Sequence, residues 1–188
     1  MPTAGLLLAA GAGRRFGGPK ALARLADGTP FVTRAVAALR DGGCASVTVV
    51  LGAAADQAAA LIDDADIVVN ASWETGMGSS LVTGLAALPP AAEATVVLLV
   101  DTPEVGAEAV ARLASHASAE AVVIATYAGC RGHPVLLGRR HWAEAARLAV
   151  GDVGARPFLL AHPELVVEVP CEDIASPEDV DTPEDLPG

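Results

Sequence analysis

Apolar and polar positions fall in blocks along this chain. Short runs rich in Val, Leu and Ile, at Gly5–Ala9, Ser46–Leu51, Ile67–Asn70, Thr95–Val100 and Ala121–Ala125, are apolar almost throughout. Strands read this way when both faces are covered, because neither face then alternates with solvent. Alanine-rich segments of helical character separate them: Pro30–Arg40, Ala53–Ile62, Ser79–Leu88 and Gly106–Ala117. Pro30 suits a first-turn position, and Asp41-Gly42-Gly43 ends that helix. Gly76 and Gly78 make a turn before Ser79, which is placed to cap the helix carrying Leu81, Leu85 and Leu88.

Strand and helix in alternation form a βαβ series, which predicts an α/β fold with a mainly parallel sheet. The later part is less regular. His133–Gly138 reads as a short strand, Arg139–Ala149 as a helix and Glu164–Pro170 as a strand, with Pro134 arguing for an edge or strand-start position. The tail "SPEDVDTPEDLPG" is polar and proline-broken, and by composition it reads as a loose surface segment. With no internal repeat and no linker, residues 1–188 read as one domain.

Composition narrows the picture. The chain has 188 residues, 52% hydrophobic, enough for one well-buried core. Its formal charge of −11 argues against a nucleic-acid partner, because backbone binding needs a positive surface. No apolar run reaches the roughly 20 residues of a membrane span, and no leader precedes the first strand, so a cytoplasmic location without membrane contact is expected. The three cysteines, Cys44, Cys130 and Cys171, are dispersed and read as packing residues of a reducing compartment. Lys20 is the sole lysine beside eleven arginines. Arginine bias accounts for much of that, yet a retained lysine also marks a place for a compact point charge.

The segment "GLLLAAGAGRRFGGPKAL" holds that lysine. Ala10–Gly18 leaves the carboxyl end of the first strand, where open α/β sheets bind ligands. Its glycines permit close backbone approach, its N–H groups can hold anionic oxygens, and Arg14, Arg15 and Lys20 stand ready for outer oxygens. The triphosphatase loop needs Ser or Thr after the lysine, and Ala21 stands there. The dinucleotide fingerprint needs a third glycine opening a helix, where Phe16 stands and Pro19 follows. A second candidate is Asp101, at the carboxyl end of the Thr95–Val100 strand. It faces the same crevice as a hard oxygen ligand, or it caps the turn at Thr102-Pro103.

Taken whole, "LLAAGAGRRFGGPKAL" resembles the signature of the MobA-like nucleotidyltransferases, and most nearly their molybdenum-cofactor cytidylyltransferase branch. "VDTPEV", "DVDTPEDL", "GMGSSL", "YAGCRGHPVLLGRRHW" and "GDVGAR" extend the likeness across nearly the whole chain. The resemblance implies a single-domain, Rossmann-like three-layer fold of the nucleotide-diphospho-sugar transferase type. It implies transfer of a cytidylyl group from CTP to molybdopterin with release of pyrophosphate, dependent on Mg2+. By this likeness Arg14, Lys20 and Asp101 are catalytic. Ala9, Ala10, Gly11, Gly13, Arg14, Lys20, Gly78, Ser79 and Ser80 hold the nucleotide. Arg131, His133, Asp152 and Arg156 face the phosphorylated pterin, and Asp101 with Asp181 binds the metal. Thr182 and Pro183 then start a terminal helix. Ala10, in the Ala-Ala-Gly form, favours CTP over GTP, since its methyl group crowds a purine. A transient contact with a molybdenum enzyme or its chaperone is implied as well. Thr102 departs from the usual pattern and points to another acceptor. Three alternatives remain open: the same chemistry with another base or acceptor, such as guanylyl transfer or phospholactate; a nucleotide-binding oxidoreductase; and a catalytically silent partner of a molybdenum enzyme.

Overall fold

Strand β1 (Thr3–Ala9) is buried along its whole length inside a seven-stranded sheet of order β3-β2-β1-β4-β6-β5-β7. This computed structural model describes residues 2–186. β1 pairs in parallel with β2 (Ser46–Leu51) and β4 (Ala94–Leu99), and β2 pairs in parallel with β3 (Asp66–Val69). β6 (Cys130–Gly138) runs antiparallel to β4 and to β5 (Val122–Tyr127), while β7 (Val166–Pro170) is parallel to β5. The result is a single-domain α/β fold with a mixed, mostly parallel sheet.

The apolar runs of β1, β2, β4 and β5 have the predicted cause, whereas β3, at the sheet edge, leaves Ile67 and Val69 exposed. Leu7 and Ala9 pack into one core, with helices α1 (Phe31–Asp41) and α4 (Ala107–Ala114). Leu6, Leu8 and Ala10 pack into the other, beneath α3 (Met77–Ala87), α5 (Trp142–Leu148) and α6 (Arg156–Ala161). Successive residues therefore serve opposite faces, and both faces are dry. The stop after α1 follows from its glycines. Gly43 adopts φ +94°, its N–H donates to the Arg40 carbonyl, and the Cys44 N–H donates to that of Leu39. That pair of bonds satisfies carbonyls which the helix end leaves open.

Several sequence-based expectations need correction. Pro134 lies on neither an edge nor a strand start, since β6 is an interior strand. The β5–β6 register jumps from Ile124–Val135 to Ala125–Gly132, and the β4 pairing ends at Val97–Val135. Pro134 thus sits in the irregularity, where its missing N–H breaks no ladder bond. Ser79 does not cap α3, which starts two residues earlier with Gly76 at its cap. The segment from Ala53 to Ile62 forms only the single turn of α2 (Ala55–Ala59), and Arg139–Ala149 divides into a 3-10 turn followed by α5. α6, which begins at the end of the glycine-rich stretch at residues 151–156, has no counterpart in the sequence-based reading.

The tail is not loose. Cys171 and Val180 are buried in the core, and the Val180 N–H donates to the Asp101 carbonyl at 2.9 Å. Arg112 grips Asp173 through two nitrogens, at 2.6 and 2.8 Å, and also donates to the Pro170 carbonyl. A polar composition hides this anchoring because two apolar side chains and a few directed hydrogen bonds suffice to hold a strap.

Candidate functional site

The loop after β1 and the end of β4 open on one side of the sheet into a cleft of about 450 Å3. Its floor includes Leu8, Ala10 and Leu99, and its far wall carries Trp73, Met77 and Ser80. In the loop, Gly13 takes φ +58°, and a Cβ built there would lie 1.9 Å from the Gly18 carbonyl oxygen, so no other residue fits. The N–H groups of Gly17 and Gly18 both donate back to the Gly13 carbonyl. Those of Ala12 through Phe16 donate to no backbone carbonyl among the described residues. A run of free amides over a tight turn is an anion cradle. Only a three-residue 3-10 turn, Lys20–Leu22, follows it, so loop amides and side chains supply the positive field rather than a helix end.

Lys20 organises the charged end. Its Nζ lies 3.0 Å from Asp101 Oδ2 and 2.6 Å from Asp181 Oδ1. Arg15 reaches the outer oxygen of Asp181 at 3.5 Å, and Arg14 is exposed beside the cleft. Burial alone would lower the lysine pKa, but the bonds and charges of Asp181 and Asp101 outweigh it and raise it, so the ammonium is permanent. The hydrogen bond and charge of Lys20 hold the Asp181 carboxyl below its usual value. Asp179 behaves oppositely: burial, then the charges of Asp101 and Asp181, push its carboxyl up. The tail places Asp181 here, through Val180 in the core and a short turn in which the Asp185 carboxylate accepts from the N–H groups of Asp181 and Thr182. Pro183 opens that turn, which among the described residues is a three-residue 3-10 turn and not the terminal helix the resemblance implied.

The donor set can be tested against a metal ion. Asp101 Oδ1 is buried without a hydrogen-bond partner, an uncommon state for a carboxylate oxygen. Among the described residues no group of three or more His, Cys, Asp and Glu side chains is arranged to hold an ion. Two carboxylates, one with a free oxygen, fit a hard cation such as magnesium that takes most of its ligands from substrate phosphates and water.

Several anticipated residues do meet at this cleft: Ala10, Gly11, Gly13, Arg14, Lys20 and Ser80, with Asp101, Asp152 and Asp181. Others stand elsewhere. Ala9 points into the opposite core, as the strand period requires. Arg131 is held by Glu168 at 2.7 Å, and neither it nor Arg156 lines the cleft. Ser79 gives its one hydroxyl hydrogen to the Ser72 or the Gly76 carbonyl. Gly78 is a packing residue: its N–H donates to the Gly151 carbonyl, and a Cβ would meet the Ala149 carbonyl oxygen at 2.6 Å. Gly78→Ala is therefore expected to push the turn bearing Asp152 outward and to cost about 1–3 kcal/mol, read from the denaturant midpoint. Trp73, Glu74 and Met77 line the cleft without having been anticipated; a large aromatic in a Gly- and Ser-rich loop was the available signal.

His133 lies beyond the cleft lining, near enough to Asp101 to feel its charge. Burial pushes its pKa down to about 4, against the raising effect of Asp101. Unfolded, the same side chain takes a proton near pH 6.5. Between these values the unfolded chain binds more protons, so stability is full above pH 6.5 and falls as pH drops toward 4. His133→Gln is expected to flatten that fall, which denaturant midpoints at pH 7, 5.5 and 4.5 will show.

Comparison with known proteins agrees with this geometry at the level of family. The profile of the MobA-like NTP transferase domain matches residues 5–166. Rv0371c from Mycobacterium tuberculosis H37Rv is 30% identical, with a TM-score of 0.85 over 98% of this chain and 95% of that one. Its complex with manganese gives 29% identity and a TM-score of 0.81, over 98% and 96% of the two chains. Nicotine blue oxidoreductase of Paenarthrobacter nicotinovorans is 39% identical over 192 residues, covering 97% of this chain and 93% of the relative. That likeness overturns the expectation of cytidylyl transfer from CTP to molybdopterin. An extensive relative carries an oxidoreductase name, and the family match reaches no finer than the MobA-like domain. Among the described residues no helix is long and apolar enough to cross a membrane.

Proposed function

Since the chain belongs to the MobA-like NTP transferase domain family, we propose that it transfers a nucleotidyl group from a nucleoside triphosphate to a small acceptor. An acceptor oxygen attacks the α-phosphorus, the bond to the β-phosphate oxygen breaks, and pyrophosphate leaves. One observation carries the reading: Lys20 stands between Asp101 and Asp181 at the mouth of a loop of free amides. The loop amides and Arg14 would seat the phosphates. Lys20, drawn from its carboxylates to the incoming anion, would neutralise charge as pyrophosphate departs. The Asp101 and Asp181 carboxylates would hold a divalent cation, which supplies charge stabilisation for the triphosphate. The manganese complex of Rv0371c supports the binding of a divalent cation. The remaining contribution is alignment of acceptor and phosphorus, for which Asp152 and Glu74 lie across the cleft.

A second reading, a nucleotide-binding oxidoreductase, is favoured by the 39% identity to nicotine blue oxidoreductase. Trp73, Met77, Leu8 and Leu99 could accept a flat ring as readily as a nucleobase.

One experiment separates the two. Purified protein with magnesium or manganese is offered each common nucleoside triphosphate and a panel of small phosphorylated and hydroxylated acceptors. Pyrophosphate release that needs one acceptor establishes transfer. In parallel, NADH or NADPH oxidation is followed with nicotine blue as acceptor. Turnover there without pyrophosphate release in any mixture rejects the transferase.

A further inference from the structure

Asn70 is buried at the end of β3, a position where an apolar residue would continue the strand's run. Its amide is engaged at both ends. The Ser72 backbone N–H donates to Asn70 Oδ1 at 2.9 Å, which decides the orientation of the group, because an N–H can face only the oxygen. The nitrogen, Nδ2, is thereby turned to α3, where it donates to Ser79 Oγ at 2.8 Å and to Ser80 Oγ at 3.1 Å. Each serine hydroxyl thus accepts from Asn70 and keeps a single hydrogen to give. Ser79 directs its hydrogen to the Ser72 or Gly76 carbonyl, at 3.0 and 2.9 Å. Ser80 has no acceptor among the described residues, and it lines the cleft with Trp73 and Met77, from α3 and the turn before it.

We propose that Asn70 is a positioning residue that fixes Ser80 as a hydrogen-bond donor to the nucleobase. The bound nucleotide must then present a base acceptor to Ser80, either a ring nitrogen without hydrogen or a carbonyl oxygen. This deepens the reading of the cleft as a nucleoside triphosphate site and rests on it. The base is favoured over the phosphates because Ser80 shares its wall with an indole and a thioether, surfaces suited to an apolar ring with a polar edge. A hydroxyl whose polarity is set in advance discriminates more sharply than a free rotor, since a donor edge facing it leaves two hydrogens opposed and unpaired.

Asn70→Asp tests the polarity with almost no change of shape. A carboxylate still accepts from the Ser72 N–H, but it can only accept from the serines, so Ser80 gives its hydrogen inward and offers the cleft a lone pair. Calorimetric titration uses ATP, CTP, GTP and UTP, with ribose 5-triphosphate as the probe that lacks a base. The tightest-binding nucleotide is expected to bind roughly tenfold more weakly to Asn70→Asp and to Ser80→Ala, while ribose 5-triphosphate changes less than twofold. In the Ser80→Ala protein, adding Asn70→Asp is expected to cost nothing more, because both act through one hydrogen. Should Asn70→Asp not fold, by its melting curve, Ser80→Ala with the two classes of probe decides alone. Affinity unchanged in the variants, equal loss for ribose 5-triphosphate, or multiplying losses in the double variant overturns the proposal. Failure of every triphosphate to bind the wild-type protein overturns instead the nucleotide reading on which it stands.

Discussion

Lys20→Ala is expected to lower pyrophosphate release about a thousandfold or more, with the protein still folded. Lys20 is the chain's sole lysine, and its ammonium lies within 3.0 Å of one carboxylate and 2.6 Å of another. Only 13% of its side chain is exposed, so its charge acts where solvent screens little. A preorganised cation at the point where charge gathers in the transition state commonly accounts for two to three orders of magnitude in rate. Here the same change also leaves Asp101 and Asp181 facing each other, with Asp179 close by, and that field repels a triphosphate. Both kcat and nucleotide affinity should therefore fall. Lys20→Arg is expected to recover little, since a planar fork cannot occupy the narrow gap between two carboxylates as a point charge does. Initial rates and nucleotide titrations on the three proteins check this, with denaturant midpoints as the control for folding. A rate within tenfold of wild type for Lys20→Ala would remove the lysine from the mechanism. The pH dependence has a definite sign. Asp181 is held low by Lys20, so that contribution to stability is present above the ordinary aspartate pKa and is lost as pH falls through the depressed one. Lys20→Ala should lack this acid limb.

Asp101→Asn is expected to be nearly as damaging, about a hundredfold to ten-thousandfold in rate, for a different reason. The substitution keeps the size of the side chain and the backbone bond by which the Asp101 carbonyl accepts from Val180. It removes the charge. The amide must also place one end toward Lys20 and the other where Oδ1 now sits buried and unpartnered. With the oxygen toward the lysine, the NH2 group occupies that lone position without an acceptor and can bind no cation. The requirement for magnesium or manganese should shift to far higher concentration. Nucleotide binding measured without metal should change little. Asp181→Asn is the informative contrast. Its side chain is 49% exposed and is carried by the tail, so a loss of roughly tenfold is expected there. Equal effects of the two substitutions would mean that the cluster acts only through its total charge.

The residues on which these predictions rest were largely legible before any coordinates. Asp101 was found because an acidic residue ending an apolar central strand has one place to go in an open α/β sheet, the crevice at the carboxyl ends. The loop was found because glycines, arginines and a lysine cluster directly after the first strand. Asp181 was visible only through resemblance to a family motif, since its own neighbourhood reads as an acidic tail. The acceptor was misjudged. The likeness in sequence reaches the family and no finer, and Trp73, Glu74 and Met77, which line the cleft with Asp152, belong to no chemistry-bearing pattern in the sequence.

Asn70 and Gly78 show what local reading misses. Asn70 looked like the last residue of a strand, and Gly78 like part of a nucleotide-binding turn. One proves to set the polarity of two hydroxyls, and the other makes room for a turn some seventy residues later in the chain. By itself the sequence determined the strands covered on both faces, the crossovers between them, and the placing of a basic glycine-rich loop and an aspartate at their carboxyl ends. Each of these follows from hydrophobic period and short-range backbone preference, which act within a few residues. Tertiary structure alone decided that Lys20 would stand between carboxylates 81 and 161 residues away, that Pro134 could occupy an interior strand, and that a polar tail would be strapped to the core. Those outcomes depend on contacts between distant segments, and such contacts are fixed only when the whole sheet has closed and buried its two faces.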